Sequence, residues 1–507
     1  MLSGTVIGIE GILVYVEVDV ANGLPNIFIV GLGDAAVQES KERVRSAIRN
    51  AGFGFPATRI TVNLAPADVK KMGPTFDLPI AVGMLAATEQ LSFKRFDDLS
   101  VVGELSLNGT LRPVTGILPI AINAKARGLG LVVASANAAE AALVKGLAVW
   151  GFANLREVVD FLTRRDVRPF TEHPRESTGE PPAIADFADV KGQQAAKRGL
   201  EIAAAGAHNL LFIGPPGSGK TMLARRLVGI LPPLSHQEAL EVTKIYSISG
   251  LLPAAAPLML RRPFRAPHYS ITPAGLIGGN SQPRPGEISL AHRGVLFLDE
   301  LAEFNRSTLE VMRQPLEDGQ VVLSRARGHL TYPALFTLAA AMNPCPCGFA
   351  GDHGWQCSCQ PLQVDRYWSR LSGPLLDRID LNIRVPRLSP EEILRRPEGE
   401  SSAQIRERII AARERQLHRF REQPDLLCNA QMHSRHLRWY CRMDQAGEQV
   451  LDRAIRQFGL SARSYDRVLK VARTIADLAA AERIAVDHVL EAIQFRREDS
   501  RFRTAHS

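Results

Sequence analysis

Gly214-Pro215-Pro216-Gly217-Ser218-Gly219-Lys220-Thr221 has the residue types and spacing that grip a triphosphate. The glycines let successive backbone N–H groups curl around phosphate oxygens, and the N-terminus of a following helix adds its positive end. In such a loop Lys220 reaches the β- and γ-phosphates, and the Thr221 hydroxyl ligates magnesium. Further on, Val295-Leu296-Phe297-Leu298 runs into Asp299 and Glu300. Phosphoryl transfer to water needs one acid for the metal and one for the nucleophile. Asp299 is therefore expected at the magnesium ion, and Glu300 as the base that orients and deprotonates water. The expected cofactors are ATP and Mg2+. Alone, the first motif also reads as a Gly-rich turn and the second as a solvated strand end; together they point to ATP hydrolysis.

Other polar residues extend the set. Asn343 ends the apolar run Thr337-Leu338-Ala339-Ala340-Ala341-Met342. It suits a residue that helps hold the attacking water, and equally a turn-forming Asn before Pro344. Arg378, in Gly373-Pro374-Leu375-Leu376-Asp377-Arg378-Ile379-Asp380, can stabilise charge on a neighbour's γ-phosphate. Arg463 opens a helix and can reach back to the phosphates, with Arg467 as its competitor. A surface salt bridge accounts for each arginine just as well. Cys345, Cys347, Cys357 and Cys359 place four thiols within fifteen residues, with His353 between them. Four thiolates can close a tetrahedral zinc site, but C-x-C is tighter than usual, so a reduced, unligated cluster stays open. Cys428 and Cys441 read as isolated thiols.

These residues need a frame. Asn209-Leu210-Leu211-Phe212-Ile213 reads as a buried strand before the loop, and Met222 to Leu227 as a helix after it. Strand-like runs at 210–213, 295–298 and 335–341 alternate with helical ones, which predicts a mostly parallel α/β core over 184–387, carrying the Cys-rich insertion 345–359. Ahead of it, 1–165 reads as an α+β domain. Val14, Val16, Val18 and Val20 alternate as in a strand, 35–50 reads as a helix and 59–64 as a strand. Residues 166–183 are rich in Pro, Glu, Thr and Arg and read as a linker. Beyond the core, 388–507 is expected to be a helical lid. Ile405, Ile409, Ala412, Leu417 and Phe420 fit one helix face; Val450, Leu451, Ala454, Ile455 and Phe458 a second; Val468, Leu469, Ala472, Ile475 and Ala479 a third.

At 507 residues the chain has room for two to four domains. Its 45% hydrophobic and 22% charged residues are ordinary for a globular protein. No run approaches the roughly 18 apolar residues of a membrane helix. The first residues lack both a basic segment and a continuous apolar stretch, so no secretion signal is read and a cytoplasmic place is expected. Six cysteines in so long a chain do not make a disulfide scaffold. A net charge of +8 permits a nucleic-acid partner without requiring one.

Two further stretches carry a family cue: Gly286-Glu287-Ile288-Ser289-Leu290-Ala291-His292-Arg293-Gly294 ahead of the acidic strand, and Leu371-Ser372-Gly373-Pro374-Leu375-Leu376-Asp377-Arg378-Ile379-Asp380. With the loop and the acids, they resemble the magnesium-chelatase-related branch of AAA+ ATPases. The order of parts over nearly the whole chain resembles the bacterial ComM/YifB family. The resemblance implies a Walker A loop at 214–221, Walker B acids Asp299 and Glu300, sensor 1 at Asn343, an arginine finger at Arg378 and sensor 2 at Arg463. It also implies a homo-oligomeric ring, a hexamer, and a DNA helicase that drives branch migration during natural transformation.

The 1–165 block resembles the Lon protease (S5-like) fold, whose proteolysis uses a serine and a lysine. Gly73-Pro74-Thr75 stands where the serine is expected, and Leu118-Pro119-Ile120 where the lysine is; Lys125 lies too far along. The block is expected to be proteolytically inactive and to serve assembly or DNA binding. Residues 319–333 read as a hairpin whose tip carries Arg325 and Arg327. In the related branch this hairpin faces the ring pore, where two arginines would hold single-stranded or branched DNA by its phosphates; an exposed charged hairpin is the bland alternative. Arg262-Pro263-Phe264-Arg265-Ala266-Pro267-His268-Tyr269 reads as a helix-2-type insertion, for stacking on bases or for packing against a neighbouring subunit. The rival to a DNA motor is a chelatase-like ATPase that remodels a protein partner.

Overall fold

The computed structural model describes residues 1–71, 73–91, 97–164, 167–170, 185–253, 256–279, 284–325, 328–352, 354–394, 399–423, 425–458 and 461–496. They form two compact units. One comprises Met1–Glu180 with His236–Leu260 and Ser324–Thr331; the other comprises Pro181–Ser235, Arg261–Leu323 and Tyr332–Ser507.

The first unit is built on a seven-stranded mixed sheet. Its strand order is Asn26–Val30, Arg59–Ala65, Glu10–Ala21, Leu2–Ile7, Leu99–Val101, Gly130–Ala134, Val149–Phe152. The alternation at Val14 and Val16 buries one face of the long second strand in sequence, which pairs antiparallel with strands on both sides. The helix Ala35–Asn50 forms as its spacing predicts, capped by Asp34, whose Oδ1 accepts from the Val37 N–H at 3.0 Å. It packs Val37, Val44, Ala47 and Ile48 into the core. The helix His236–Ser249 belongs to this unit. Ser247 O accepts from the Gly116 N–H at 3.2 Å, and Ser247 Oγ donates to the buried Glu140 carboxylate at 2.5 Å.

The second unit holds a five-stranded, wholly parallel sheet in the order Phe264–Arg265, Val295–Leu298, Thr337–Met342, Leu210–Ile213, Leu381–Arg384. Strands buried on both faces read as unbroken apolar runs, and both Leu210–Ile213 and Val295–Leu298 are buried throughout. Ile213 pairs with Met342, so the chain leaves both strands at the same level, into Gly214 and Asn343. The helices Ser402–Arg419, Ser434–Tyr440, Gln445–Phe458, Ala462–Leu478 and Val486–Gln494 complete the unit.

Two expectations change. Within residues 262–269, read from the sequence as a helix-2-type insertion, the structure places a strand. Phe264–Arg265 is the edge strand of the parallel sheet, and Arg265 makes a forked ion pair with Glu287 at 2.6 and 2.7 Å. Arg262 donates to Pro232 O and Arg293 O. A strand of two residues is too short to show a period in the sequence. Leu417, expected in the core, is 48% exposed, and Gln416 is buried in its place. Gln416 satisfies backbone groups on both sides, donating to Ala205 O and accepting from the Asn429 N–H, each at 2.9 Å.

Candidate nucleotide site

The parallel sheet sets the site. Ligands of such sheets bind beyond the carboxyl ends of the strands. There the loop 214–221 leaves Leu210–Ile213 and enters the helix Lys220–Ile230. Gly219 sits at φ +92° at the start of that helix, a conformation that side chains resist. Lys220 Nζ donates to Gly214 O at 2.6 Å, Pro215 O at 2.9 Å and Asn343 Oδ1 at 3.2 Å. Burial lowers its ammonium to about 8, against the pull of Asp299 and Glu300. Thr221 Oγ1 donates to Asp299 Oδ2 at 2.6 Å. The structure thus brings Lys220, Thr221, Asp299 and Asn343 together beyond the carboxyl ends of the three central strands of the sheet.

Glu300 is exposed and follows Asp299 at φ +53°, ψ +48°. The left-handed region costs a non-glycine residue about 1–3 kcal/mol, and here it turns the chain sharply out of the strand line. The Glu300 N–H donates to Asp299 Oδ1 at 3.0 Å, which fixes the carboxylate that faces Thr221.

The arginines divide. Arg378 is buried in its own chain: it donates to Arg313 O at 3.1 Å and Pro374 O at 2.6 Å and pairs with Glu317. Arg463 is exposed, 4.0 Å from Asp377. Arg467 is inward, donating to Ile379 O at 3.0 Å with Asp380 at 3.7 Å. At the hairpin, Gln320–Arg325 and Gly328–Pro333 pair as two strands. Arg325 closes the first strand, and Arg327 lies outside the described residues. Thr75 lies in the short 3-10 turn Pro74–Phe76 of the first unit; Leu118, Pro119 and Ile120 are buried on the helix Ile117–Ala126, and Lys125 on that helix is exposed. The four sulfurs of Cys345, Cys347, Cys357 and Cys359 lie within 4.8 Å of one another, while Cys428 and Cys441 are buried elsewhere. His353 lies outside the described residues.

Sequence reasoning missed Gln193. At φ +53°, it donates from Nε2 to Ser218 O at 2.7 Å and so pins the phosphate loop from outside. Among the described residues, Gln193 Oε1 and Ser218 Oγ are buried without hydrogen-bond partners. Such groups in and beside a phosphate loop have polar ligand atoms as their natural partners. No spacing in the sequence marks Gln193.

Three family models match the chain: "Subunit ChlI of Mg-chelatase" at 16–137, "Magnesium chelatase, subunit ChlI" at 186–393, and that subunit's C-terminal part at 399–496. The chain is 47% identical over 498 residues to YifB of Salmonella typhimurium, covering 97% of the chain and 96% of YifB. It is 45% identical over 499 residues to Competence protein ComM of Haemophilus influenzae, covering 96% and 95%. The chain belongs to the ComM/YifB family. Like the ComM/YifB proteins it is magnesium-chelatase-related, with an AAA+ core whose family implies ATP and Mg2+. The Thr221 hydroxyl beside the Asp299 carboxylate offers the hard oxygen donors that magnesium takes. Lon protease 2 of Bacillus subtilis is 32% identical over 153 residues, 28% of this chain and 26% of the protease, in keeping with a Lon-like front domain on a ComM/YifB core. Among the described residues no helix is long and apolar enough to cross a membrane.

Proposed function

We propose that the chain is a ring-forming ATPase that moves DNA, driving branch migration in recombination during natural transformation. The observation that carries this reading is the meeting of Lys220, Thr221, Asp299 and Asn343 beyond the carboxyl ends of the central strands. The 45% identity to a protein named for competence supports the DNA role.

In this reading the backbone of 214–221 cradles the phosphates and Lys220 neutralises the β- and γ-oxygens. Thr221 and Asp299 would hold magnesium, which would supply compensating positive charge for the triphosphate. Glu300 takes the proton of a water whose oxygen bonds to the γ-phosphorus as the bond to the β–γ bridging oxygen breaks and ADP leaves, and Asn343 hydrogen-bonds that water. Arg378 from the adjacent copy and Arg463 stabilise charge on the transferring group. Site and finger on different copies require a ring, which we take to be a hexamer. Arg325 and Arg327 grip phosphates of single-stranded or branched DNA without reading bases.

We assign 184–387 as the motor core, although His236–Leu260 and Ser324–Thr331 within it group with the first unit, 388–507 as its lid and 166–183 as the linker to a front domain, 1–165. That domain serves assembly or DNA binding and is proteolytically inactive, since it carries Thr75 and no lysine near 118–120. The chain works in the cytoplasm.

Strand displacement on a branched DNA, with wild type and Lys220→Ala, tests the motor. Wild type unwinds with ATP and the variant does not; unwinding that survives in the variant removes the motor. The second reading, an ATPase that remodels a protein partner, draws on the chelatase-subunit match at 186–393. Hydrolysis that rises with a protein partner and ignores single-stranded DNA would select it.

A further inference from the structure

Cys345, Cys347, Cys357 and Cys359 make a compact cage. Cys345 Sγ lies 3.3 Å from Cys347 Sγ and 3.7 Å from Cys357 Sγ, and Cys347 Sγ lies 3.6 Å from Cys357 Sγ. Four thiolates on one zinc ion, with Zn–S near 2.3 Å, stand about 3.8 Å apart at tetrahedral angles. An iron–sulfur cluster shares its cysteines among several irons and needs a wider cage. With every sulfur within 4.8 Å of the others, the cage fits a single ion. Backbone donors support it: the Ala350 N–H reaches Cys345 Sγ at 3.3 Å, and the Cys347 N–H reaches Cys359 Sγ at 3.4 Å. Such donors orient and stabilise thiolate ligands.

The same turn touches the phosphate loop. The Gly348 N–H closes onto Cys345 O at 3.0 Å, and Gly348 sits at φ +87°. A Cβ built on Gly348 would stand 2.6 Å from Pro216 Cδ and 2.9 Å from Pro216 Cγ. On the other flank, Asn343 accepts from Lys220 Nζ at 3.2 Å, and Trp368 Nε1 donates to Pro344 O at 3.0 Å. The turn that holds the first two cysteines is therefore wedged between Pro216 and the partner of Lys220.

We propose that the four cysteines bind one zinc ion and that the closed loop braces Pro216, coupling metal binding to nucleotide affinity. Each thiol that ligates the ion gives its proton to solvent, and no electron transfer is involved. With the ion in place, the turn is fixed by four bonds and holds the phosphate loop in its cradle. Without it, the turn is free to leave Pro216, and ordering the loop must be done by the nucleotide. The inference rests on the nucleotide-binding reading of Lys220.

The test measures metal content by mass spectrometry and affinity for a fluorescent ADP on the full chain. Wild type is expected to carry one zinc ion, and Cys347→Ser/Cys357→Ser none. Gly348→Ala keeps all four thiols and its zinc but displaces Pro216. Both variants should bind ADP about tenfold more weakly, as should wild type stripped by a chelator, and zinc returned to the stripped protein should restore binding. Wild type purified without zinc overturns the site. Normal ADP binding by the stripped protein and by Gly348→Ala overturns the brace alone. Zinc-loaded wild type with no affinity for ADP overturns the nucleotide reading instead.

Discussion

Thr221 Oγ1 donates to Asp299 Oδ2 at 2.6 Å across 78 positions of sequence. The bond joins the first turn of the helix after the phosphate loop to the end of a strand two places away in the sheet. A hydroxyl and a carboxylate held side by side match two positions of an octahedral magnesium shell. Asp299→Asn keeps an acceptor for Thr221 but removes the charge. The magnesium concentration for half-maximal hydrolysis should rise at least about tenfold, the cost already typical of outer-shell partners. A magnesium titration with an unchanged midpoint would reject Asp299 as a ligand.

Glu300 holds a strained backbone, at φ +53°, in an exposed place where its side chain gains no packing. Strain retained without packing fits a residue kept for its chemistry. Glu300→Gln should leave ADP affinity near wild type and slow hydrolysis about 10²–10⁴-fold, the usual contribution of a positioned base. Glu300→Gly should lose as much activity yet unfold no more easily, because glycine accepts the left-handed conformation. A Gly variant that is clearly less stable than the Gln variant would show that the Glu side chain supports the fold.

Lys220 couples nucleotide binding to pH. Burial holds its ammonium at about 8, and the phosphates of a bound nucleotide add negative charge that raises it. The charged form is the one that binds. Affinity is therefore full below pH 8 and falls above it, by about tenfold per pH unit until the bound-state value is reached. Binding at about pH 8.5 should take up protons, seen as different calorimetric heats in buffers of different ionisation enthalpy. Equal heats there would mean that Lys220 is already charged before the nucleotide arrives.

The AAA+ core is legible in the sequence because its strands are buried on both faces. Leu210–Ile213 and Val295–Leu298 lie where unbroken apolar runs predict them, and polar residues at their ends stand out by contrast. Lys220 and Thr221 follow from local spacing. What spacing does not carry is anything held by backbone pairing or by long-range polar contact. Phe264–Arg265 is too short for a period and is a strand only because Val295 and Leu296 pair with it. Gln416 takes a core place that hydropathy gives to Leu417, because its amide can satisfy Ala205 O and the Asn429 N–H. Gln193 acts through its backbone bend and one side-chain donor. Glu317, which holds Arg378, has no motif around it.

A buried ionic hub in the helical region is equally invisible to hydropathy. Asp477 is fully buried and meets Arg473 at 3.0 Å, Arg419 Nη1 at 2.9 Å and Asn429 Nδ2 at 2.8 Å. It ties the helix Ser402–Arg419 to Ala462–Leu478. Asp477→Ala leaves the buried Arg473 guanidinium without its counter-charge, a change that costs about 3–5 kcal/mol. The urea midpoint of the full chain, followed by circular dichroism, should fall accordingly. A loss below about 1 kcal/mol would place the stability of this region in its apolar packing instead.

Arg378 is tied to Glu317, Arg313 O and Pro374 O of its own chain, so a role at a neighbour's nucleotide requires an exchange of partners. If Arg378 is a finger, loss of the guanidinium in Arg378→Ala should cut hydrolysis about 10³–10⁵-fold. That loss alone does not separate a finger from a structural ion pair. Mixing does. A Lys220→Ala copy cannot hold nucleotide but still offers its arginine, and an Arg378→Ala copy holds nucleotide but offers none. Where the two stand side by side in a ring, one complete site forms from an intact loop and an intact finger. The mixed rings should regain hydrolysis that neither variant has alone, with a maximum near equal proportions. Activity that simply follows the sum of the two parents at every ratio would confine Arg378 to its own subunit, where its pairing with Glu317 is then its whole function.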